Sequence, residues 1–282
     1  MNEAEWNRIS PLFVRGAEYR ETDGVGAYTL PLFSAAPWIG HGFSSRIGGV
    51  STGCYASLNL SFTRPDDPEL VRQNYRIFAR AMGFDTEAMV MDSFAHGTTV
   101  RRVGRADMGS GWSKEPLPSC DGLITDEPGV VLVTGHADCN AYYCCDAAHH
   151  AVGLAHAGWR GTLNRMGTRL VDAMREAFGS DPGELIVGIS PSIGFECFEV
   201  GTDVADRFEA AFPGLPCRRE GAPGKAYIDL WSVAACQFVE AGVRPGHINI
   251  AAVCTSCERE RLYSHRRDHG ETGGMAAYLT VL

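Results

Sequence analysis

Between Val130 and Ala157 three apolar runs follow one another almost without pause. They are "VVLVT", "NAYYCCD" and "AVGLAHA", separated only by short polar breaks. Each has the length and the β-branched or aromatic content of a strand. No helical stretch intervenes, so hairpins must be built into the sheet and a plain βαβ alternation is excluded. "EAMVMDS", "ELIVGIS", "AYIDL", "HINIAAV" and the closing "MAAYLTVL" read as further strands. Helical spacing is confined to a few segments. Leu70, Asn74, Ile77, Phe78, Ala81 and Met82 share a face over Pro68–Gly83, with Pro68 in the first turn and Gly83 at the end. Leu163, Met166, Leu170, Met174, Ala177 and Phe178 share one over Thr162–Phe178. Shorter helices are expected around Thr202–Phe212 and Trp231–Ala241. His41–Phe62 and Arg101–Ser119 read as mostly loop. Strands outnumber helices, which predicts an α+β fold of mixed sheets with helices packed outside. No linker or repeat interrupts the chain, so residues 1–282 are expected to form a single domain.

With 45% hydrophobic and 21% charged residues the composition is that of a globular protein. A net charge of −9 argues against nucleic acid as a partner. A small anionic substrate remains compatible if a few arginines converge. "MNEAEWNRIS" has no apolar core of a secretion signal, and no apolar run is long enough to span a membrane. The expectation is a cytoplasmic protein without membrane partners. Its ten cysteines then read as reduced thiols or metal ligands rather than a disulfide framework. Cys144 and Cys145 are adjacent and would point to opposite faces of a strand.

The stretch "HADCNAYYCCDAAHHAVGLAHAGWRGT" concentrates the chemistry. Thiolate and imidazole are the donors zinc prefers, and three protein ligands leave one position open. Cys139 and His156 lie on neighbouring predicted strands and could meet at one sheet end. His96, in "FAHGTTV", is the best third candidate, and His41, in "HGFSSR", is another. Taken alone, Cys139 also fits a buried small hydrophobe. His149 and His150 read as solvated hairpin residues, and His136 is open to either reading. Arg160, between glycines before a helix, suits an anion or a salt bridge equally, and Arg46 has the same two readings. Cys254 and Cys257 form a CxxC without a second pair, which could be a redox pair or half of a zinc site and reads as structural.

Seven motifs then occur in order: "HGFSSRIGGVSTGCYASLNL", "HGTTV", "DGLIT", "ADC", "HAGWRGT", "SPSIGFECFEVG" and "YSHRRDHGETGG". Together they resemble the YfiH/LACC1 family, long labelled polyphenol oxidase or laccase-like and since assigned purine nucleoside activities. The resemblance runs from His41 to the C-terminus. It implies a single-domain α/β/β/α sandwich similar to the catalytic domain of cytotoxic necrotizing factor. It implies a metal site of His96, Cys139 and His156, which are also the catalytic candidates. It further implies phosphorolysis of adenosine, inosine, guanosine and methylthioadenosine, together with adenosine deaminase activity. Three positions depart from the family pattern. Phe94-Ala95 replaces Gln-Val, His136 replaces Thr, and Gly274 stands where the family has an arginine.

Phosphorolysis needs phosphate held against the anomeric carbon. Arg46 and Arg160 are the candidates for phosphate, with Ser44 and His41 beside the substrate. Zinc is the expected cofactor, with copper as the alternative. Zinc would serve deamination by activating water, although the His-x-Glu and Pro-Cys-x-x-Cys signature of the known zinc deaminases is absent. Rival readings are a cysteine hydrolase or amidase of the peptidoglycan-editing kind, with Cys139 as nucleophile and His156 as base, a copper phenol oxidase, and a non-enzymatic zinc-stabilised domain. The partners expected are a purine nucleoside and phosphate.

Overall fold

The computed structural model describes residues 1–93 and 97–282. His96, the proposed third ligand, lies outside the described residues, as do Phe94 and Ala95.

Two mixed sheets stack face to face. The seven-stranded sheet runs in the order Val14–Arg15, Ile248–Ile250, Ile186–Ile189, Asn140–Asp146, Ala151–Ala157, Gly122–Thr125, Val100–Arg102. The six-stranded sheet runs Glu18–Thr22, Val25–Thr29, Ile39–Ser44, Met275–Val281, Val131–His136, Met89–Met91. A small sheet of Glu199–Gly201, Lys225–Ile228 and Arg218–Glu220 lies apart from both.

Side-chain alternation along the strands builds the layers. Tyr142 and Cys144 join Ile124 in a core shared with Leu170 and Met174 of the helix Met166–Phe178 and with Phe238 of the helix Leu230–Glu240. Tyr143 and Cys145 face the other way, into a core with Leu132, Ala277, Leu279 and Phe43 of the second sheet. On that sheet's far side Val131, Val133, Ala276 and Tyr278 pack on Val71, Tyr75 and Phe78 of the helix Pro68–Met82. The result is the expected helix–sheet–sheet–helix sandwich, and the adjacent cysteines do point to opposite faces. None of the ten cysteines is in a disulfide. No helix among the described residues is long and apolar enough to cross a membrane.

Two helices differ from the sequence pattern. Pro68–Met82 begins on its Asp67 cap and ends at Gly83 with φ of 80°, as its signals require. Its buried face is Val71, Asn74, Tyr75, Phe78 and Ala79, turned by one position from the expected one. The Tyr75 hydroxyl donates to the Leu60 carbonyl at 2.7 Å and the Asn74 amide donates to Ser51 and Asn59, so polar partners set the rotation. The expected helix from Thr162 is two helices, Trp159–Leu163 and Met166–Phe178, with Arg165 left-handed between them at φ of 66°. Gln237 bridges the break. Its amide donates to the Thr162 carbonyl at 2.6 Å, and its oxygen accepts from the Gly167 N–H at 3.0 Å.

Candidate active site

Register brings the key residues together. Strand Val131–His136 ends in the second sheet and Asn140–Asp146 starts in the first, so Ala137, Asp138 and Cys139 carry the chain between the two sheets. In the hairpin that follows, Asn140 pairs with Ala157 and Ala141 with His156. Cys139 therefore stands one step beyond the last pair, beside Gly158. A Cβ at position 158 would lie 3.2 Å from the Cys139 sulfur, pressing on it, and 3.8 Å from the His156 ring, an ordinary contact.

The turn that presents Cys139 is held from outside. Asp138 is left-handed at φ of 84°, a conformation uncommon for a residue other than glycine. Its carboxylate accepts from the Thr255 hydroxyl at 2.6 Å and from the Arg266 N–H at 2.7 Å, and its carbonyl accepts from the Ile193 N–H at 3.0 Å. His136 braces the same turn from behind. Its Nδ1 lies 3.2 Å from the Cys139 carbonyl, which can only accept, so Nδ1 carries the proton. Its Nε2 then accepts from the Thr134 hydroxyl at 2.7 Å. Burial, reinforced by nearby His156, keeps the His136 ring neutral at ordinary pH.

His156 is buried, with its Nδ1 3.7 Å from the Asp121 carboxylate. The other Asp121 oxygen accepts from the Gly97 N–H at 2.8 Å. Burial opposes charge on His156, but Cys139, Asp121 and Asp92 outweigh it and raise its pKa to about 10. A carboxylate behind an imidazole fixes its orientation and raises its basicity, the arrangement found behind metal-ligating histidines. A cysteine sulfur and an imidazole meeting in one cavity therefore suit a soft or borderline metal ion.

Cys139 and His156 form the shared wall of two cavities. The smaller, about 90 Å³, is closed by Asp121, Gly158, Trp159 and Arg160. The larger, about 500 Å³, is lined by Arg64, His265, Ser61, Thr63 and Gly274 among others, and is of ligand size. Arg160 is exposed, stacks 4.4 Å above the Trp159 ring and makes no ion pair among the described residues.

Three residues expected at the substrate lie elsewhere. The His41 Nε2 accepts from the Leu30 N–H at 2.9 Å, and its ring packs on Phe33 of the short helix Pro31–Ser34, where burial lowers its pKa to about 4. The Ser44 hydroxyl accepts from the Ala276 N–H at 2.9 Å. The Arg46 guanidinium donates twice to the Ala56 carbonyl and sits 4.5 Å over the Tyr263 ring, so it is a loop clamp. Neither cavity includes any of the three. Sequence reasoning passed over Asp121, although "DGLIT" carried it, and Arg64 and His265. The last two touch at 3.4 Å across two distant loops, a pairing that no local spacing encodes.

Residues 40–282 match the family model described as multi-copper polyphenol oxidoreductase laccase. The chain belongs to that family. Within it, purine nucleoside phosphorylase YlmD of Geobacillus stearothermophilus is 37% identical over 243 residues, covering 84% of this chain and 88% of that protein. The crystal structure of YlmD from the same organism superposes with a TM-score of 0.87 at 34% identity, covering 93% of this chain and 97% of that one. A relative named adenosine deaminase RL5, from an unknown prokaryotic organism, is 31% identical over 232 residues, covering 80% and 87%. The laccase family so described thus includes proteins named for purine nucleoside chemistry, as the seven motifs implied.

Proposed function

We propose that this member of the laccase family is a zinc-dependent purine nucleoside phosphorylase that also deaminates adenosine. The observation that carries the reading is the convergence of Cys139 and His156 on the wall between a small cavity edged by Arg160 and a ligand-sized cleft bearing Arg64 and His265. The names carried by YlmD and RL5 point the same way. Cys139 and His156 would hold the metal, with His96 as the third ligand that the family resemblance assigns. Zinc in such a set supplies Lewis acidity and lowers the pKa of water, which deamination at C6 of adenine needs.

In phosphorolysis a phosphate oxygen bonds to C1′ of the ribose while the glycosidic C–N bond breaks, and the departing base takes up a proton. Arg160 and Arg64 are the cations available to bind phosphate, since Arg46 is spent on Ala56. Asp121 orients His156, and His136 holds the Cys139 carbonyl. Multi-copper oxidation fits this chain less well, because it needs histidines gathered together. Here His41 serves Leu30, His149 serves Asp146, and His247 lies on the Leu185 carbonyl.

Adenosine incubated with the purified protein, with and without phosphate, tests the reading. Adenine and ribose 1-phosphate that form only with phosphate are expected, accompanied by inosine or hypoxanthine. Unchanged adenosine under both conditions would defeat it.

A cysteine hydrolase is the second reading, favoured by one observation. Cys139, His156 and Asp121 line the same small cavity, with Asp121 3.7 Å from the His156 Nδ1, which suits the roles of nucleophile, base and orienting acid. A chelated protein that still cleaves an amide and carries an acyl adduct on Cys139 would establish it.

A further inference from the structure

Neither cavity uses Cys197, Cys254 or Cys257. By sequence the CxxC of Cys254 and Cys257 lacks a partner. The fold supplies one, because Cys197 ends the single turn Phe195–Cys197 against it. The three sulfurs all lie within 4.8 Å of one another, with Cys197 and Cys257 3.5 Å apart.

We propose that Cys197, Cys254 and Cys257 form a separate metal site that takes a zinc ion through three thiolates, with water in the fourth position.

Four features support an ion over a disulfide. Tetrahedral zinc with bonds of about 2.3 Å sets its sulfurs about 3.8 Å apart, near the 3.5 Å between Cys197 and Cys257 and inside the 4.8 Å that bounds all three. A disulfide would join two of the three sulfurs and leave the third beside them unused. The Gly194 N–H donates to the Cys254 sulfur at 3.2 Å, which fixes where that sulfur points. The fourth is access. Cys257 is exposed while Cys197 and Cys254 are half-buried, which leaves a solvent side for entry and for a water ligand. Three thiolates packed this closely would repel one another without a divalent cation between them. On binding, three S–H protons leave to solvent as three zinc–sulfur bonds form. The unit then carries a single net negative charge, and the Arg266 guanidinium, donating to the carbonyls of Cys197 and Glu199, stands close enough to offset it.

The site also reaches the catalytic turn. Thr255 lies between two of the ligands and donates to Asp138, and the Arg266 N–H donates to the same carboxylate. A metal there would lock the two segments that hold Asp138 left-handed, so its role is to position rather than to react.

The test is thiol footprinting of the reduced full-length chain with N-ethylmaleimide, with and without added zinc, read peptide by peptide. Zinc is expected to slow labelling at Cys197, Cys254 and Cys257 together by roughly tenfold or more, since a metal-bound thiolate is a poor nucleophile. Cys54 is exposed and away from the cluster, and should label at the same rate throughout. Cys257→Ser should remove the protection at Cys197 and Cys254 while leaving any protection at Cys139 intact, so the two metal sites are read separately. Unchanged labelling of the three with zinc would overturn the proposal. So would a disulfide among them in the isolated protein with no zinc uptake after reduction.

Discussion

Gly158 and Cys139 stand so close that a single methyl group on the glycine would begin 3.2 Å from the cysteine sulfur. That is tighter than an ordinary contact, so the sulfur must give by a few tenths of an ångström, while the His156 ring at 3.8 Å is merely touched. Gly158→Ala must therefore push the sulfur out of line with the imidazole. The backbone at 158 has φ of −68°, which alanine adopts freely, so the fold itself should survive. The expected result is a loss of metal affinity of about 10- to 100-fold with little change in Tm, as when groups around a ligand set are disturbed. Zinc titration with a competing chelator measures the first and calorimetry the second. Wild-type affinity in the variant would show that the sulfur is not a ligand.

The Asp138 turn gives a second prediction. Its buried carboxylate depends on the Thr255 hydroxyl at 2.6 Å. Thr255→Val keeps the shape and removes the donor, leaving one carboxylate oxygen short of a partner. The expected cost is about 1.5–3 kcal/mol in denaturant unfolding, the usual range for a hydrogen bond to a charged group. Turnover should fall as well, because the same turn carries Cys139. A stable variant with impaired turnover would separate the two roles, whereas no change in either would show the turn to be held by Arg266 and Ile193 alone.

How much of this was legible in the sequence follows from what each feature depends on. The layered fold was legible because strand alternation and helical spacing are local, and Tyr142 to Cys145 display the two-faced pattern directly. Cys139 and His156 were legible because a hairpin with a short turn leaves few registers. The polar placements were not. His41 and Arg46 look like site residues in "HGFSSR", yet each is consumed by a backbone partner, Leu30 and Ala56, whose approach the linear pattern does not encode. Arg64 and Cys197 were missed for the converse reason. Each becomes interesting only beside a residue far along the chain, His265 in one case and Cys257 in the other. Gly274 shows how the two kinds of reading combine. The family pattern expects an arginine there, and the structure puts Gly274 on the wall of the larger cavity, so a cation is missing from that wall and Arg64 remains.

Arg64 and Arg46 should accordingly behave differently when truncated. Arg64→Ala removes a cation from the larger cavity and is expected to raise the KM for phosphate by about 10- to 100-fold, with Tm nearly unchanged, if its contact is worth the usual charged hydrogen bond. Arg46→Ala should instead lower Tm and leave phosphate KM alone, because its guanidinium clamps the Ala56 carbonyl and the Tyr263 ring. Steady-state kinetics at varied phosphate, with a melting curve for each variant, compares them. The reverse pattern would return phosphate binding to Arg46.

Asp92 carries a pH prediction. It is buried, one of its carboxylate oxygens has no partner among the described residues, and burial raises its pKa to about 8, with His156 opposing and Asp121 adding to the shift. In the unfolded chain the same group titrates near an ordinary value of about 3.9. Between those values the folded state binds more protons than the unfolded one, so this group's contribution to stability falls as pH rises. It is fully present below the unfolded pKa and lost through the folded one. Asp92→Asn removes that dependence. Tm measured from pH 5 to 8.5 should drop more steeply for the wild type than for the variant, with the gap widening towards pH 8. Parallel curves would mean that Asp92 titrates normally.

Cys139→Ala decides between the two readings of the site. If the sulfur is a zinc ligand, its removal takes away one of three protein bonds and leaves two imidazoles, one of them His156. Bound zinc and phosphorolysis should then fall together, and chelation of the wild type should reproduce the loss. Zinc binding to the wild type should also weaken in acid, because His156, with its pKa raised to about 10, must give up its proton before it can ligate. If the sulfur is a nucleophile, chelation should spare the wild type, and the variant should be folded, metal-replete and inactive, with the adduct seen on Cys139 of the wild type missing from it. Elemental analysis, phosphate-dependent adenine release and intact-mass measurement on three samples (wild type, chelated wild type and Cys139→Ala) distinguish the cases. Zinc at the three-cysteine cluster would persist in Cys139→Ala under either reading, so the count that matters is the difference between the two proteins. A difference of one zinc per chain, lost in step with turnover, is the expected result. A difference of zero, with turnover gone and the adduct confined to wild type, would assign Cys139 to nucleophilic chemistry.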